Sequence, residues 1–156
     1  MRALLQRVNY ASVTVNSAPV ARIERGLLVL LAVGQGDTEE DAKYIVDKTV
    51  NLRIFPDSQD RFDRSALDEH YQLLVVSQFT LYGDTRRGRR PSFSAAELPE
   101  PARALFDRTV ALFLETGLQV ATGQFAEHML VELENDGPVT IWLDSAERHT
   151  PRSGKE

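Results

Sequence analysis

From Arg2 to Val15 apolar and polar residues alternate in part, with Val, Leu and Tyr frequent, which predicts a strand. Asn16-Ser17 offers a turn, and Val20 to Ile23 predicts a returning strand that runs toward Glu24-Arg25-Gly26. Leu27 to Val33 is almost wholly apolar, as expected of a strand covered on both faces, and Gly34-Gln35-Gly36 ends it. Thr38 reads as an N-cap with Asp41 at the capping-box position. Behind it Ala42, Ile45, Val46 and Val50 recur at helical spacing, predicting an amphipathic helix to about Leu52. Pro56 to Leu67 is polar and rich in turn residues, so a mobile loop is expected. Tyr71 to Leu81 reads as a strand, and Gly83 to Phe93 as an arginine-rich loop. From Pro101 the residues Leu105, Phe106, Val110, Phe113 and Leu114 form a second apolar stripe, with Gly117 as its C-cap. Leu118 to Ala121, Met129 to Glu134 and Val139 to Leu143 complete the strands, the last two joined by a turn at Asp136-Gly137-Pro138. Trp142 and Met129 are expected in the core, and the polar tail from Arg148 is expected to fray.

Antiparallel strands with two crossover helices make a layered, mixed α/β domain. No repeat or linker divides it, so one domain over residues 1–147 with a polar tail at 148–156 is expected. At 156 residues and 42% hydrophobic content the chain can bury a true core. No apolar run approaches the ~20 residues that cross a bilayer, and no secretory signal precedes the first strand. With no cysteine there is neither a disulfide framework nor a thiolate nucleophile, and a cytoplasmic protein is expected. His70, His128 and His149 are scattered without metal-ligand spacing, so neither a metal nor another cofactor is expected.

A net charge of −5 argues against a broadly basic surface that would coat a nucleic acid. One local basic patch stands out: Arg86, Arg87, Arg89 and Arg90 around Gly88. Such a cluster is either solvated loop charge or a phosphate grip, since arginine forks match phosphate oxygens.

Two further segments carry candidate chemistry. In a strand spanning Ser77-Gln78-Phe79-Thr80-Leu81, Ser77, Phe79 and Leu81 would face one way and Gln78 and Thr80 the other. Phe79 and Leu81 are then either core residues or companions of a polar site built by Gln78 and Thr80. Thr80 as a nucleophile would need an adjacent base, and nothing in the spacing supplies one. Asn135-Asp136-Gly137-Pro138-Val139-Thr140 reads by residue type as a turn.

Together, at this separation, the two segments resemble the signature pair of the D-aminoacyl-tRNA deacylases, and the likeness extends from Met1-Arg2-Ala3-Leu4-Leu5-Gln6-Arg7-Val8 to Thr140-Ile141-Trp142-Leu143. That resemblance implies three layers (helices on a sheet, that sheet on another) and a homodimer with composite active sites. It implies hydrolysis of the ester of D-aminoacyl-tRNA, and of mischarged glycyl-tRNA, at a site formed by Ser77, Gln78, Phe79 and Thr80. It also implies that the Gly137–Pro138 bond is cis and that this pair, lent by one subunit to the other, blocks the L side of the α-carbon. Arg7 would orient the pair. Beside what the resemblance implies, Met129 in its strand is a candidate to line the substrate pocket, and the arginine loop a candidate to contact the tRNA phosphates. An ester beside a vicinal ribose hydroxyl brings its own activation, so the protein would need to orient it and offer N–H donors to the developing oxyanion. The rival readings are a module that binds the tRNA 3′ end without chemistry, and a purely structural dimer.

Overall fold

The first strand is the spine of the molecule. The computed structural model describes residues 1–151, and β1 spans Arg2–Val15. One edge of β1 pairs first with β3 (Gly26–Ala32), Arg2 opposite Ala32 and Val8 opposite Gly26, and then with β2 (Ala18–Ile23). Its other edge pairs antiparallel along nearly its whole length with β8 (Leu130–Asp144). Asn16 and Ser17 turn the chain between β1 and β2 with positive φ values of 49° and 62°.

β3 continues through α1 (Glu39–Asn51), which carries the chain to a parallel partner, β6 (Gln72–Ser77). The capping box at Thr38 and Asp41 starts this helix, and Leu52 caps its end. A second crossover through α2 (Pro99–Glu115) leads to β7 (Val120–Thr122), again parallel to β6. Strands covered on both faces read as unbroken apolar runs, and Leu27–Leu31 and Leu73–Val76 do so for that reason. Where a loop was expected at 56–67, a small hairpin pairs β4 (Phe55–Pro56) with β5 (Phe62–Arg64). The Asp57 carboxylate holds its turn by accepting from the Gln59 and Arg61 N–H groups.

Two apolar clusters sit on opposite faces of β3 and β6. On one face Ala3, Leu5, Leu27, Val29, Leu31, Leu73 and Val75 meet Ile45, Val50, Phe106 and Phe113 of the helices. On the other, Leu28, Leu74 and Val76 meet Ala11, Val13 and Val15 of β1, with Ile23, Val131 and Leu133. The second half of β1, β2 and the first half of β8 therefore fold over the central sheet, giving three layers: helices, sheet, sheet. β1 belongs to both sheets. It passes between them at its two register shifts, one from Gln6 to Val8 and one from Val8 to Tyr10.

Two expected core residues are exposed, and Met129 is only half-buried. Trp142 is 45% exposed, on the outer face of β8, and Leu114 lies off the α2 stripe that Phe106, Thr109 and Phe113 bury. Nor does the chain fray at Arg148. Ser145–Glu147 forms a 3-10 turn, and the Arg148 guanidinium donates to Asp41 of α1. The rest of the expected tail, 152–156, lies outside the described residues. Among the described residues no helix is long and apolar enough to cross a membrane.

Candidate functional site

β6 ends at Ser77, opposite Leu31, and the Gln78 N–H donates to the Leu31 carbonyl at 2.8 Å as the last rung. Beyond it the chain that follows β3 is bonded to another segment, Glu97 N–H donating to the Val33 carbonyl (3.0 Å) and Gln35 N–H to that of Ala95 (3.0 Å), and the motif coils into a 3-10 turn over Phe79–Tyr82. Leu81 N–H donates to the Gln78 carbonyl (3.2 Å) and Gly83 N–H to that of Thr80 (2.9 Å). The expected alternation of a strand through Leu81 therefore fails. Phe79 is 58% exposed rather than buried, its ring 5.1 Å from that of Phe93 in an edge-on contact. Thr80 is exposed, and its hydroxyl accepts from the Gln78 side-chain amide. Among the described residues no histidine or carboxylate bonds to it; the three histidines are exposed.

Sequence reasoning missed the residue that fixes this turn. Arg2 donates from Nη1 to the Leu81 carbonyl (3.0 Å) and from Nε to Asp144 (3.0 Å). Its guanidinium also lies 4.4 Å from the centre of the Tyr82 ring and 5.5 Å from that of Trp142. Burial, with the Asp37 and Asp144 carboxylates, pushes the Tyr82 phenol up, so it remains a protonated donor to Asp37. The only signal was position: Arg2 begins β1, which the register sets beside the end of β8.

The second motif is a bulge within β8 rather than a turn between two strands. Both flanks pair with β1, Asn135 opposite Val8 and Thr140 opposite Gln6, so four residues, Asp136 to Val139, stand opposite Arg7 alone. The Asn135 side chain closes the base of the bulge. Its Oδ1 accepts from the Val139 N–H (2.8 Å) and its Nδ2 donates to the Val139 carbonyl (3.1 Å), an amide side chain standing in for a paired backbone. At the apex Gly137 has φ 148°, and a Cβ there would meet the Val139 N at 2.8 Å and the Arg7 Nη2 at 3.3 Å, so only glycine fits. The Gly137–Pro138 bond is cis, and both residues are exposed.

Arg7 is 7% exposed, far from the surface arginine that its strand-edge position allows. It donates from Nε to the Asp136 carbonyl (2.8 Å) and from Nη1 to that of Ile54 (2.7 Å), with the Asp136 carboxylate 3.4 Å from Nε. It therefore holds the residue before Gly137 and ties the bulge to the segment following α1.

Register also separates the two motifs. Ser77 is level with Leu31 and Ala3, whereas Arg7 is level with Leu27 and Leu73. Four residues of strand, about 13 Å, lie between these levels. One copy of the chain thus does not bring Gly137–Pro138 to Gln78 and Thr80. Met129 does reach the first motif's end of the sheet. Its sulfur fills the space left by Gly123, which bonds to Val75 and sits against Val76 just before Ser77. The arginine loop starts from the same turn. Within it Arg86 is bound by Asp84, while Arg87, Arg89 and Arg90 are exposed.

Comparison with known proteins matches residues 4–144 to the family model of D-Tyr-tRNA(Tyr) deacylase. The chain is 58% identical over 147 residues to a D-aminoacyl-tRNA deacylase of Herpetosiphon aurantiacus, covering 94% of this chain and 96% of the relative. It is 55% identical over 156 residues to that of Roseiflexus castenholzii, covering 100% and 99%. A solved structure described as c-Myc DNA Unwinding Element Binding Protein superposes with TM-score 0.87 at 37% identity, covering 92% of this chain and 98% of that one. The fold is shared as well by a probable eukaryotic D-amino acid tRNA deacylase, at TM-score 0.79 and 20% identity over 91% and 97% of the two chains. A match that begins in β1 and closes only at the last residue of β8 makes this chain a member of the D-Tyr-tRNA(Tyr) deacylase family.

Proposed function

We propose that this protein hydrolyses the ester joining a D-amino acid to the 3′ end of tRNA, releasing free tRNA and the amino acid while sparing L-aminoacyl esters. This is proofreading of charged tRNA, carried out in the cytoplasm. Family membership supports the reaction, and the observation that carries the arrangement is the separation of the two motifs along β1. A site needing both Gln78–Thr80 and Gly137–Pro138 is complete only when a second copy lends its bulge. The working unit is therefore a homodimer with two composite sites.

In each site the turn at Phe79–Tyr82 orients the terminal ribose and its ester. Thr80 has an amide rather than a base as its partner, so the attacking group is water. The vicinal ribose hydroxyl relays its proton. Water adds to the ester carbonyl, the carbonyl–ribose oxygen bond breaks, and that oxygen takes the proton. Backbone N–H groups at the end of β6 and in the turn serve the developing oxyanion.

Selectivity comes from rejection. Main chain at Gly137–Pro138, held through Asp136 by Arg7, stands where a substituent on the L side of the α-carbon would go. A D-residue or glycine places nothing there, so glycyl-tRNA is also cleaved. Incubation with D-Tyr-tRNA and L-Tyr-tRNA in parallel tests this: the D ester is lost and the L ester persists. Equal binding of both without turnover would replace the enzyme by a module that grips the tRNA 3′ end.

A further inference from the structure

Resting on the deacylase reading, we infer that the segment Asp84–Ser92 is a closed phosphate-gripping loop for the tRNA strand adjoining the 3′ end, in which Arg87, Arg89 and Arg90 contact phosphates while Arg86 is withheld from them by Asp84.

The loop is closed at its base by two backbone bonds, Asp84 N–H to the Ser92 carbonyl (2.7 Å) and Ser92 N–H to the Asp84 carbonyl (2.9 Å). Both ends are fastened to the first motif. Gly83 bonds back to Thr80 at one end, and Phe93 packs edge-on against Phe79 at the other. Whatever the loop tip binds is thereby held at a set distance from the turn that orients the ester.

Inside the loop the four arginines are not equivalent. The Asp84 carboxylate takes the Arg86 fork from two sides, Nε at 2.9 Å and Nη2 at 2.6 Å, and accepts the Arg86 N–H at 3.0 Å as well. Those Arg86 hydrogen bonds hold the Asp84 carboxyl at about 2, so it stays charged at every working pH. A carboxylate seated in the fork occupies the geometry that a phosphate would use. By contrast Arg87, Arg89 and Arg90 are exposed and have no hydrogen bond or ion pair among the described residues. They flank Gly88, whose φ of 68° turns the tip and whose surroundings are open for 4 Å.

A cavity of about 550 Å³ is lined by Asp84 and Ser92 at the base of the loop, with Arg86 and Arg87. Three unpaired guanidiniums within four positions, on a protein of net charge −5, repel one another until an anion arrives. Their spread along the chain suits successive phosphates of a polymer better than a single small anion. Asp84 is thus a positioning residue: it rigidifies the loop and spends one arginine to do so.

The experiment is the affinity for uncharged tRNA across a salt series, a readout independent of ester chemistry. Each phosphate contact contributes about 0.7–0.9 to the slope of log affinity on log salt. Arg87→Ala, Arg89→Ala and Arg90→Ala are each expected to lower the slope by about that amount, and the corresponding Lys variants to restore it. Arg86→Ala is expected to keep the parental slope. Asp84→Asn, which frees the Arg86 fork, is expected to steepen it by about one contact. Arg86→Ala flattening the slope as much as its neighbours do, or the three tip variants leaving it unchanged, overturns the inference. Should the protein bind tRNA in this pattern yet leave D-Tyr-tRNA intact, the deacylase reading falls while the loop assignment stands.

Discussion

The turn at Phe79–Tyr82 and the bulge at Asp136–Val139 are both short and irregular, and expose Phe79, Thr80, Gly137 and Pro138, yet they are held in opposite ways. Nothing in the turn is buried. Its fixings come from outside: the Arg2 fork on Leu81, the Phe93 ring against Phe79, and the Tyr82 hydroxyl on Asp37. The bulge is fixed from beneath by a buried arginine and from within by the Asn135 amide. In the roles proposed for them, a platform that receives a ribose gains from accessible donors and some give, and a gate that refuses a methyl group on one side of a carbon gains from a backbone that cannot yield. The contrast predicts that damage to the bulge will change selectivity, and damage to the turn will change rate.

The largest effect belongs to Arg7. Removing its side chain leaves the Asp136 and Ile54 carbonyls without their donor and the Asp136 carboxylate without its near partner. Arg7→Ala is expected to cost about 3 kcal/mol in urea unfolding, the range for breaking a buried ionic contact. Among the molecules still folded, cleavage of L-Tyr-tRNA should rise relative to D-Tyr-tRNA. Equal losses on both esters would make Arg7 a purely structural residue.

Acid should act next, and on the turn's side of the molecule. Asp41 lies near the end of β8 and is held at about 2: burial opposes its charge, but the Thr38 N–H and the Ser145 and Thr38 hydroxyls more than offset this, aided by the terminal ammonium. A carboxyl depressed in the folded state stabilises the fold fully above its ordinary value of 3.8. That stabilisation, about 2 kcal/mol, fades as pH falls from about 4 toward 2. Ser145 and Arg148 are released with it, one residue from the Asp144 that anchors Arg2. Trp142, the sole tryptophan, lies over that same Arg2. Its fluorescence should change in this window before far-UV circular dichroism is lost, and Asp41→Asn should remove the early phase. A single coincident transition, unmoved by Asp41→Asn, would show that the turn's anchorage is no weaker than the core.

How much of this contrast was legible in the chain depends on where the determinants lie. The capping box, the apolar run of β3 and the Asn16-Ser17 turn are local patterns, and the structure has them where the pattern put them. Each motif, by contrast, took the other's expected conformation. Phe, Thr, Leu and Tyr favour a strand, but the chain beyond Leu31 bonds to residues 95–97 instead, and a strand without a partner coils. Asn, Asp, Gly and Pro favour a turn, yet β1 runs past them and pairs with both flanks, so the ladder resumes after the bulge. Those are facts about neighbours far along the chain. The same holds for Arg7, which sinks beneath the surface because carbonyls from residues 54 and 136 converge on it. Of the arginine cluster, composition showed the charge but not that Asp84 claims one member.

Thr80 should give the smallest effect, although it is the only hydroxyl in the exposed turn with the look of a nucleophile. To attack an ester its oxygen would have to lose a proton to a neighbour. Its side-chain partner among the described residues is the Gln78 amide, and an amide is no base whichever way it is turned. If Thr80 instead helps to hold the turn and touch the ribose, its removal costs one modest hydrogen bond. Thr80→Ala is then expected to slow D-Tyr-tRNA cleavage by less than about tenfold, roughly 1 kcal/mol of barrier, with the preference for D over L intact. Rapid-quench measurements on the parent should show no burst of released tRNA ahead of free amino acid, since no acyl group rests on the protein. A burst in the parent, abolished together with turnover in Thr80→Ala while tRNA affinity is kept, would make the turn a source of covalent chemistry and reverse the roles drawn for the two regions.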